Sequence, residues 1–385
     1  MAELIGFILG KNPDLSIAEI LSYLSAKRII FSVKCKENEF IIVEVSDKKP
    51  ISINDLGGSI KIFSVVYADK DIGMLKIDAD KLVNSSKDSL TFGISLYNIK
   101  NWNILQDRFS AHLKNQLRGM GVKAGYMHLP EDRSFLTHVE VLKKNLVENG
   151  EVIVCFSDRK YFIGKTIQVH NPFEFQKRDV GRPEQRAIYS IPPRLAKILI
   201  NLLGIRNGTL LDPFCGIGTV LQEAMLMGFD IRGVDINGQC VKSAKKNLEW
   251  IGKEYKIEIS SLDKKVIQGD SRKLSNFFQK NSIDGIATEP YLGPPLKGEP
   301  DRKRADKILS DVEDLYTKTL KEACIILKNN SKMCIVSPRI KMGNFSLGLN
   351  MKDIAEKTGF NLLKAYNDSE ERHKIIREIN VLERI

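Results

Sequence analysis

The stretch that most constrains the fold of this chain is a strand, a glycine turn, a helix and a second strand in direct succession. Residues 209–235 read TLLDPFCGIGTVLQEAMLMGFDIRGVD, in which a short apolar run ends at Asp212. A turn with two glycines follows, and an apolar pattern of helical spacing then stops at Gly228. A second apolar run ends at Asp235. This order predicts one parallel crossover unit, as found in α/β domains.

The chemistry of the glycine turn indicates the kind of ligand it holds. Gly216 and Gly218 lack a Cβ atom, so the backbone can turn sharply and a ligand can approach closely. A dinucleotide fold would have a third glycine where Leu221 stands, which disfavours a nicotinamide oxidoreductase. Asp212, just before the turn, would repel a pyrophosphate and attract a cation. S-adenosylmethionine has no phosphate and carries an ammonium and a sulfonium group, so the turn predicts this cofactor.

The rest of the C-terminal half repeats the alternation of strands and helices. Apolar runs end near Asp212, Asp235, Gly269 and Glu289, and helical patterns separate them. The last two runs predict a closing antiparallel pair. Such alternation predicts a Rossmann-like, mostly parallel seven-stranded sheet with helices on both faces. We expect this catalytic domain to cover residues 193–385.

Acids at the strand ends predict a shared site, because ligands of such sheets lie beyond the carboxyl ends of the strands. Asp235 suits the ribose hydroxyls, and Asp270 suits the adenine amino group. Cys215 lies in the turn, but no histidine-bearing motif supports a nucleophilic role. The residues predicted to line the cofactor site are Asp212, Pro213, Cys215, Gly216, Gly218, Thr219, Asp235, Ile236, Asp270 and Ser271.

The fourth strand end carries the sequence Glu289-Pro290-Tyr291, which fits a planar base with an exocyclic amine. The Glu289 carboxylate and the Pro290 carbonyl would accept the two amine hydrogens, and the ring of Tyr291 would stack on an extruded base. Catalysis would then come mostly from positioning and from acceptors placed near a developing positive charge. The alternative is a proline-rich turn with a buried tyrosine.

The N-terminal half is predicted to be α+β, and it divides into two runs. Residues 1–55 combine strand patterns with one helical pattern, and residues 56–169 contain further strands, including 137–142, and a basic helix at 104–120. Asp158-Arg159 marks a hairpin turn.

Residues 170–193 contain four prolines and no sustained periodicity, which predicts a linker at 170–192. Basic and aromatic residues alternate in it, which suits phosphate contact and base stacking. A solvated linker whose aromatic rings dock on a domain is an equally good interpretation. The residues concerned are Phe173, Phe175, Lys177, Arg178, Arg182, Arg186 and Tyr189.

Composition adds a weaker indication of the partner. Lysine and arginine outnumber the acids 59 to 48, for a formal charge of +11. This excess fits a polyanionic partner, although a lysine-rich proteome would give the same balance. The six cysteines form no CxxC pair, so we expect no metal site. No apolar run is long enough to span a bilayer and the start lacks a basic lead-in, so we expect a cytoplasmic protein.

The motifs together resemble a known family. Residues 212–219 (DPFCGIGT), Asp235, the Gly269-Asp270 pair and the EPYLG stretch at 289–293 resemble class I methyltransferases that act on exocyclic amines. The whole chain resembles the THUMP-domain tRNA guanosine-N2 methyltransferases that modify position 10. The catalytic resemblance covers residues 183–385, and the N-terminal resemblance rests on length and element order.

The resemblance implies a ferredoxin-like domain at 1–55, a THUMP-like RNA-binding domain at 56–169 that recognises the tRNA acceptor end, and a linker at 170–192. It also implies S-adenosylmethionine as cofactor, and tRNA and a small activating subunit as partners. The family usually has Asp-Pro-Pro-Tyr where this chain has Glu289-Pro290-Tyr291, so the target base and its position stay open. A DNA adenine or cytosine amino-methyltransferase and a catalytically inactive tRNA-binding protein are the alternatives.

Overall fold

The structure is a computed structural model that describes residues 2–47, 49–72, 77–185, 190–259, 261–296, 298–368 and 374–385. The chain divides into two compact units. The first comprises Met1–Ile20 and Lys27–Glu174, and the second comprises Leu21–Ala26 and Phe175–Ile385.

The N-terminal half forms a mixed sheet with helices between its strands. In the described residues the strand order is β2-β3-β1-β4-β8-β7-β5-β6. The strands are β1 (Glu3–Leu9), β2 (Phe31–Lys36), β3 (Phe40–Val45), β4 (Ser59–Asp69), β5 (Ser89–Tyr97), β6 (Lys123–Tyr126), β7 (Glu151–Ser157) and β8 (Lys160–Val169). The helices are α1 (Pro13–Ala26), α2 (Ala79–Leu82), α3 (Trp102–Gly119), α4 (His138–Lys143), α5 (Leu146–Asn149) and α6 (Pro172–Val180), with a 3₁₀ turn at Ile53–Asp55.

The hairpin between β7 and β8 follows from its turn residues. Asp158 and Arg159 have φ values of 50° and 60°, the left-handed conformation that both central residues of a type I′ turn need. Antiparallel pairing then begins at Ser157 opposite Lys160. The predicted turn is confirmed.

The strand predicted over 137–142 is wrong, because these residues form α4. The Thr137 hydroxyl accepts from the backbone N–H of Glu140 at 3.3 Å, and the Glu140 carboxylate accepts from the N–H of Thr137 at 2.8 Å. This reciprocal pair is a capping box. Its Thr-x-x-Glu pattern was present in the sequence and outweighs the strand propensity of the residues that follow.

Helix α3 is amphipathic, as the basic pattern at 104–120 predicts. Phe109, Leu113 and Leu117 are fully buried and pack in the core of the first unit. Arg108 and Arg118 are exposed on the other side of the helix. The helix therefore presents a cationic surface to solvent.

A buried ion pair crosses the sheet of the first unit. Lys61 on β4 and Glu151 on β7 are each at most 1% exposed and are bonded to each other. Ser95 and Thr166 donate to Glu151 at 2.6 Å each, and Lys61 also donates to the carbonyl of Leu136 at 2.7 Å. Desolvation lowers the pKa of Lys61, although the charge of Glu151 opposes the shift. The pair is stable because its hydrogen-bonding groups are satisfied by neighbours.

In the described residues the second unit has one sheet of eight strands, of which seven follow a single hydrogen-bonded path. The strands are β9 (Thr209–Asp212), β10 (Asp230–Asp235), β11 (Val266–Gln268), β12 (Ile283–Thr288), β13 (Leu327–Met342), β14 (Phe345–Gly348), β15 (Phe360–Asp368) and β16 (Ile375–Arg384). The helices are α7 (Pro193–Leu202), α8 (Thr219–Leu226), α9 (Gly238–Glu254), α10 (Leu262–Lys265), α11 (Arg302–Ile326) and α12 (Met351–Lys357), with a 3₁₀ segment at Ser271–Asn276.

The strand order of this sheet is β11-β10-β9-β12-β13-β16-β15, and β14 pairs with β13. Strands β9 to β13 run parallel, whereas β16 is antiparallel to both of its neighbours. The predicted Rossmann-like sheet with a C-terminal antiparallel hairpin is confirmed. From β9 the chain proceeds to β10 and β11 on one side and to β12 on the other. The carboxyl end of β9 is therefore the topological switch point, where such sheets bind ligands.

The long helix α11 covers one face of this sheet. Its buried residues Ile308, Val312, Tyr316 and Leu320 recur every four positions, the spacing of one helical face. They share a core with strand residues that include Met333. Tyr316 donates its hydroxyl to the carbonyl of Val336 at 2.8 Å, so its buried polar atom is paired.

The segment predicted as a linker is helical in its first half, over α6. Arg178 is 5% exposed and paired with Glu223 at 2.7 Å, and Arg182 is 3% exposed. These two arginines therefore do not form an exposed RNA-contacting surface, and that part of the prediction is wrong. Phe175 is buried with the Arg178 guanidinium 4.4 Å from its ring centre, which favours docking. Arg186 and Tyr189 lie outside the described residues.

Apolar residues at helical spacing across 172–180 were present in the sequence and indicate α6, but the surrounding prolines masked this pattern. The domain bounds at 55, 169 and 192 stay predictions. In the described part of the chain, no helix is both long and apolar enough to cross a membrane.

Candidate active site

The glycine turn joins β9 to α8 in a conformation that depends on both glycines. Gly216 has φ +52° and Gly218 has φ +91°, in the left-handed region. A Cβ atom on Gly218 would lie 3.3 Å from the Cβ of Ala244, closer than normal contacts. The N–H of Cys215 donates to the carbonyl of Val234 at 3.0 Å, which holds the turn against β10. Burial raises the pKa of the Cys215 thiol well above its usual range, so it is not an ionised nucleophile.

Asp212 ends the central strand and is 2% exposed. One of its oxygens accepts from the Thr288 hydroxyl at 2.6 Å and from the N–H of Phe214 at 3.1 Å. Burial raises the pKa of Asp212 to about 7, and the nearby charges of Asp235 and Glu289 add to the shift. No residue in the described ranges pairs with the second oxygen. A buried carboxylate with an open oxygen would bind a cation strongly.

Asp235 lies at the end of β10, beside the turn. Its two oxygens accept from the N–H groups of Gly216 at 2.9 Å and Asn237 at 2.8 Å. These bonds fix the direction of the carboxylate and leave further lone pairs for another donor. The next residue, Ile236, is 67% exposed and presents an apolar side chain beside the acid.

Asp270 follows β11 and is occupied by a neighbour in sequence. Its oxygens accept from the Arg272 guanidinium at 2.7 to 3.1 Å, and this hydrogen-bonded ion pair lowers the pKa of Asp270. Ser271 is buried, and its hydroxyl pairs with that of Thr319 at 3.1 Å. An adenine amine at Asp270 would therefore share the carboxylate with Arg272. The cofactor-binding roles of Asp270 and Ser271 stay predictions.

Glu289, Pro290 and Tyr291 follow β12, the neighbour of β9. The Glu289 carboxylate accepts from Arg377 of β16 at 2.5 Å. Pro290 is buried, and its carbonyl receives no hydrogen bond from any residue in the described part of the chain. The side chain of Tyr291 is 51% exposed, so the alternative of a buried tyrosine in a structural turn is wrong. The segment offers acceptors and an accessible ring together.

Asp212 and Glu289 meet around a small cavity at the switch point. The lining residues are Ile191, Asp212, Phe214, Cys215, Ile217, Thr219, Val220 and Glu289. Asp235 and Asp270 follow the two strands on the other side of β9. The structure thus places the four predicted acids on one edge of the sheet, at neighbouring strand ends.

Several residues of this site were not predicted from the sequence. Arg182 donates to Thr219 at 2.7 Å and to Gln222 at 3.2 Å, so a buried guanidinium supports the start of α8. Thr288 and Arg377 contact the two central acids. Their partners are distant in sequence, and no local pattern signals the contacts of Arg182 and Arg377. Thr288, directly before the Glu-Pro-Tyr motif, was the one position that the motif itself could have indicated.

The arrangement defines a class of protein. A parallel sheet with a closing antiparallel strand, a glycine turn after its central strand and acids at the adjoining strand ends are the features of a class I methyltransferase.

Comparison with known families agrees with this class. A model described as DNA methylase matches residues 34–246, more than half of the chain, and the chain belongs to this methylase family. A model described as RMKL-like, methyltransferase domain, matches residues 183–361, which cover the glycine turn and the Glu-Pro-Tyr segment.

Curated relatives are named tRNA (guanine(10)-N2)-dimethyltransferase. The chain is 30% identical to the protein from Pyrococcus abyssi over 59% of this chain and 60% of that protein. It is 28% identical to the one from Methanothermobacter thermautotrophicus over 53% of each. The match to the Methanocaldococcus jannaschii protein is 26% identical and covers 75% of this chain and 82% of that one. The chain thus matches a little over half the length of the first two relatives.

Solved structures share the fold over the whole chain. TrmN from Thermus thermophilus is similar with a TM-score of 0.56 and 16% identity, covering 100% of both chains. A putative methyltransferase complexed with SAH is similar with a TM-score of 0.50 and 15% identity, covering 99% of this chain and 97% of that one. At these identities the similarity concerns the fold.

Proposed function

We propose that this protein is an S-adenosylmethionine-dependent methyltransferase that methylates the exocyclic N2 amine of a guanosine in tRNA, at position 10. The observation that carries the proposal is the pair of acceptors at Glu289 and Pro290, with the exposed ring of Tyr291, at the strand end next to Asp212. A base amine held there would lie beside the proposed cofactor site.

The residues of the sheet edge fit the proposed cofactor. The open oxygen of Asp212 suits an ammonium group, because the cation would compensate a carboxylate that burial otherwise disfavours. The fixed carboxylate of Asp235 suits two ribose hydroxyls, and the exposed side chain of Ile236 suits the face of an adenine ring. The turn from Pro213 to Thr219 would follow the cofactor with its backbone. When bound, the cofactor supplies an electrophilic methyl group on sulfur.

The chain's own residues would prepare the amine for attack. Glu289 and the carbonyl of Pro290 accept hydrogen bonds from its two N–H groups. These hydrogen bonds turn the nitrogen lone pair out of conjugation with the ring. As the new N–C bond forms and the C–S bond breaks, positive charge develops on nitrogen, where both acceptors stabilise it. The Glu289 carboxylate then takes up the amine proton. Tyr291 stacks on the base and fixes its plane.

A tRNA substrate is supported by the names of the curated relatives and by the cationic surface of α3. Arg108 and Arg118 are exposed there, and such side chains can contact phosphate groups independently of sequence. We assign the N-terminal half to RNA binding, with a ferredoxin-like part at 1–55 and a THUMP-like part at 56–169 that contacts the acceptor end.

Methylation of an amino group in DNA is the second candidate, favoured by the DNA methylase description of one matching family. Adenine and cytosine also carry exocyclic amines, so the Glu-Pro-Tyr segment alone does not separate the two substrates. The separating experiment incubates the purified protein with labelled S-adenosylmethionine and either unmodified tRNA or duplex DNA.

Digestion and mass spectrometry then identify the methylated nucleoside. The proposal predicts N2-methylated guanosine from tRNA and no labelled DNA. Labelled N6-methyladenine or N4-methylcytosine from duplex DNA, without product from tRNA, would establish the alternative. Cofactor binding without transfer to any RNA would indicate an inactive tRNA-binding protein.

A further inference from the structure

Arg377 contacts the Glu-Pro-Tyr segment from a strand that is distant in sequence. Its Nε donates to a Glu289 oxygen at 2.5 Å, and the two side chains are 21% and 14% exposed. No other described residue pairs with Glu289. The contact joins residues 88 positions apart in sequence.

The sheet explains how this contact is made. Strand β13 lies between β12 and β16, so the arginine must reach across one strand, and β12 and β16 are about 10 Å apart at the usual spacing. Arg377 pairs in register with Pro338 of β13, and residues in register project from the same face of a sheet. Arg377 and Pro338 therefore lie on the same face of the sheet, from which the guanidinium reaches Glu289.

The length of the Glu289 side chain helps to span the distance between β12 and Arg377. An aspartate at the same position would withdraw the carboxylate by about 1.3 Å, the projection of one methylene group along an extended chain. The 2.5 Å contact would then open to nearly 4 Å, beyond hydrogen-bond distance. Glu289 is thus long enough to meet an arginine two strands away.

We propose that Arg377 is a positioning residue for catalysis: it holds one oxygen of Glu289 so that the other faces the amine of the base. This inference rests on the proposed function. Carboxylates rotate freely unless their oxygens are held, and a misplacement of about 1 Å can cost roughly 100-fold in rate. An arginine that donates through Nε restricts the orientation of the carboxylate and also supplies a positive charge beside it.

The test compares Arg377→Met and Arg377→Lys with a matched control. Arg339→Met breaks another arginine–glutamate pair between β13 and β16, the one that Arg339 makes with Glu378 at 2.7 Å. Arg339 pairs in register with Ile376, so its side chain projects from the opposite face to that of Arg377. Loss of either pair perturbs the same two strands, but only one pair involves Glu289.

The measurements are kcat and KM for the polymer that wild type methylates, tRNA or duplex DNA, and calorimetric affinity for S-adenosylmethionine. We expect Arg377→Met to lose about 100-fold in kcat, with KM and cofactor affinity within about threefold. Arg377→Lys should recover part of the loss, and Arg339→Met should keep kcat within about threefold. Because Arg377 acts through Glu289, adding Arg377→Met to Glu289→Gln should cost no further activity.

An Arg377→Met enzyme with near-normal kcat overturns the inference, as does an equal loss in Arg339→Met or full additivity with Glu289→Gln. These outcomes require an active wild type and leave the proposed function intact. A wild-type protein that methylates neither tRNA nor duplex DNA overturns both.

Discussion

The charge state of Asp212 should make cofactor affinity depend on pH. Burial raises the pKa of this carboxyl from 3.8 to about 7 in the cofactor-free protein. If the ammonium group binds only the ionised form, affinity follows the ionised fraction, which is about a tenth at pH 6 and about three quarters at pH 7.5. We therefore expect S-adenosylmethionine to bind about eightfold more tightly at pH 7.5 than at pH 6.

The raised pKa of Asp212 also makes the stability of the protein depend on pH. Stability should fall as the pH rises, whereas cofactor affinity should increase. A carboxyl whose pKa is raised on folding disfavours the folded state once it ionises, so stability is retained below pH 4 and lost as the pH rises towards 7. Between pH 5 and pH 8 the loss is on the order of 3 kcal/mol, at 1.4 kcal/mol for each pH unit below the shifted pKa. Bound cofactor should offset this loss by pairing with the charge.

Asp212→Asn is the control for both effects, because an amide does not ionise in this range and keeps an oxygen that can accept from Thr288. Calorimetric titration at pH 6, 7 and 7.5 should show weak binding by the variant. The affinity of the variant should change with pH only as far as the ligand's own amino group titrates. Thermal melting without cofactor should show a smaller decrease from pH 5 to pH 8 than in wild type. Wild-type affinity that changes with pH no more than that of the variant would refute this role for Asp212.

Three further predictions concern catalysis, stability and binding. Glu289→Gln should reduce methyl transfer at least 100-fold, since it removes an anionic acceptor, while calorimetry shows cofactor affinity within about threefold; normal turnover would contradict its role. Lys61→Met should destabilise the first unit by about 3 to 5 kcal/mol in denaturant unfolding, because Glu151 is left charged and buried, and a double Lys61→Met, Glu151→Leu variant should recover most of the loss. Replacing Arg108 and Arg118 by glutamate in the full-length protein should weaken tRNA binding at least tenfold and reduce its salt dependence in filter binding, whereas unchanged affinity would exclude α3 as an RNA-binding surface.

The catalytic fold could be predicted from the sequence because its signals are local. The strand, turn and helix at 209–226 and the alternation that follows specify a parallel sheet, and an acid lies at or within two residues after the end of each of the strands β9 to β12. Since the carboxyl ends of parallel strands share one edge, predicting the strands was enough to bring Asp212 and Glu289 together. Helix α4 shows the limit of this reasoning, because a capping box outweighed the strand propensity of the residues within it.

The side-chain environment of the site could not be predicted, because it comes from distant residues. Nothing near Glu289 in sequence indicates an arginine on β16, and nothing near Thr219 indicates Arg182 beneath the turn. The raised pKa of Asp212 also depends on burial by the whole sheet. Arginines near a proline-rich segment suggested an exposed RNA-binding surface, whereas burial placed Arg178 and Arg182 inside the second unit.

The proposed function requires Glu289 and Pro290 to hold the N2 amine of guanosine 10 in tRNA for methylation. The most direct test is methylation of tRNA transcripts that differ only at position 10, with guanosine, inosine or adenosine there, followed by mass spectrometry of the nucleosides. Inosine lacks the N2 amine and leaves the rest of the purine nearly unchanged. We expect N2-methylated guanosine from the first transcript and no product from the other two. Equal methylation of all three, or a product at another base, would contradict it.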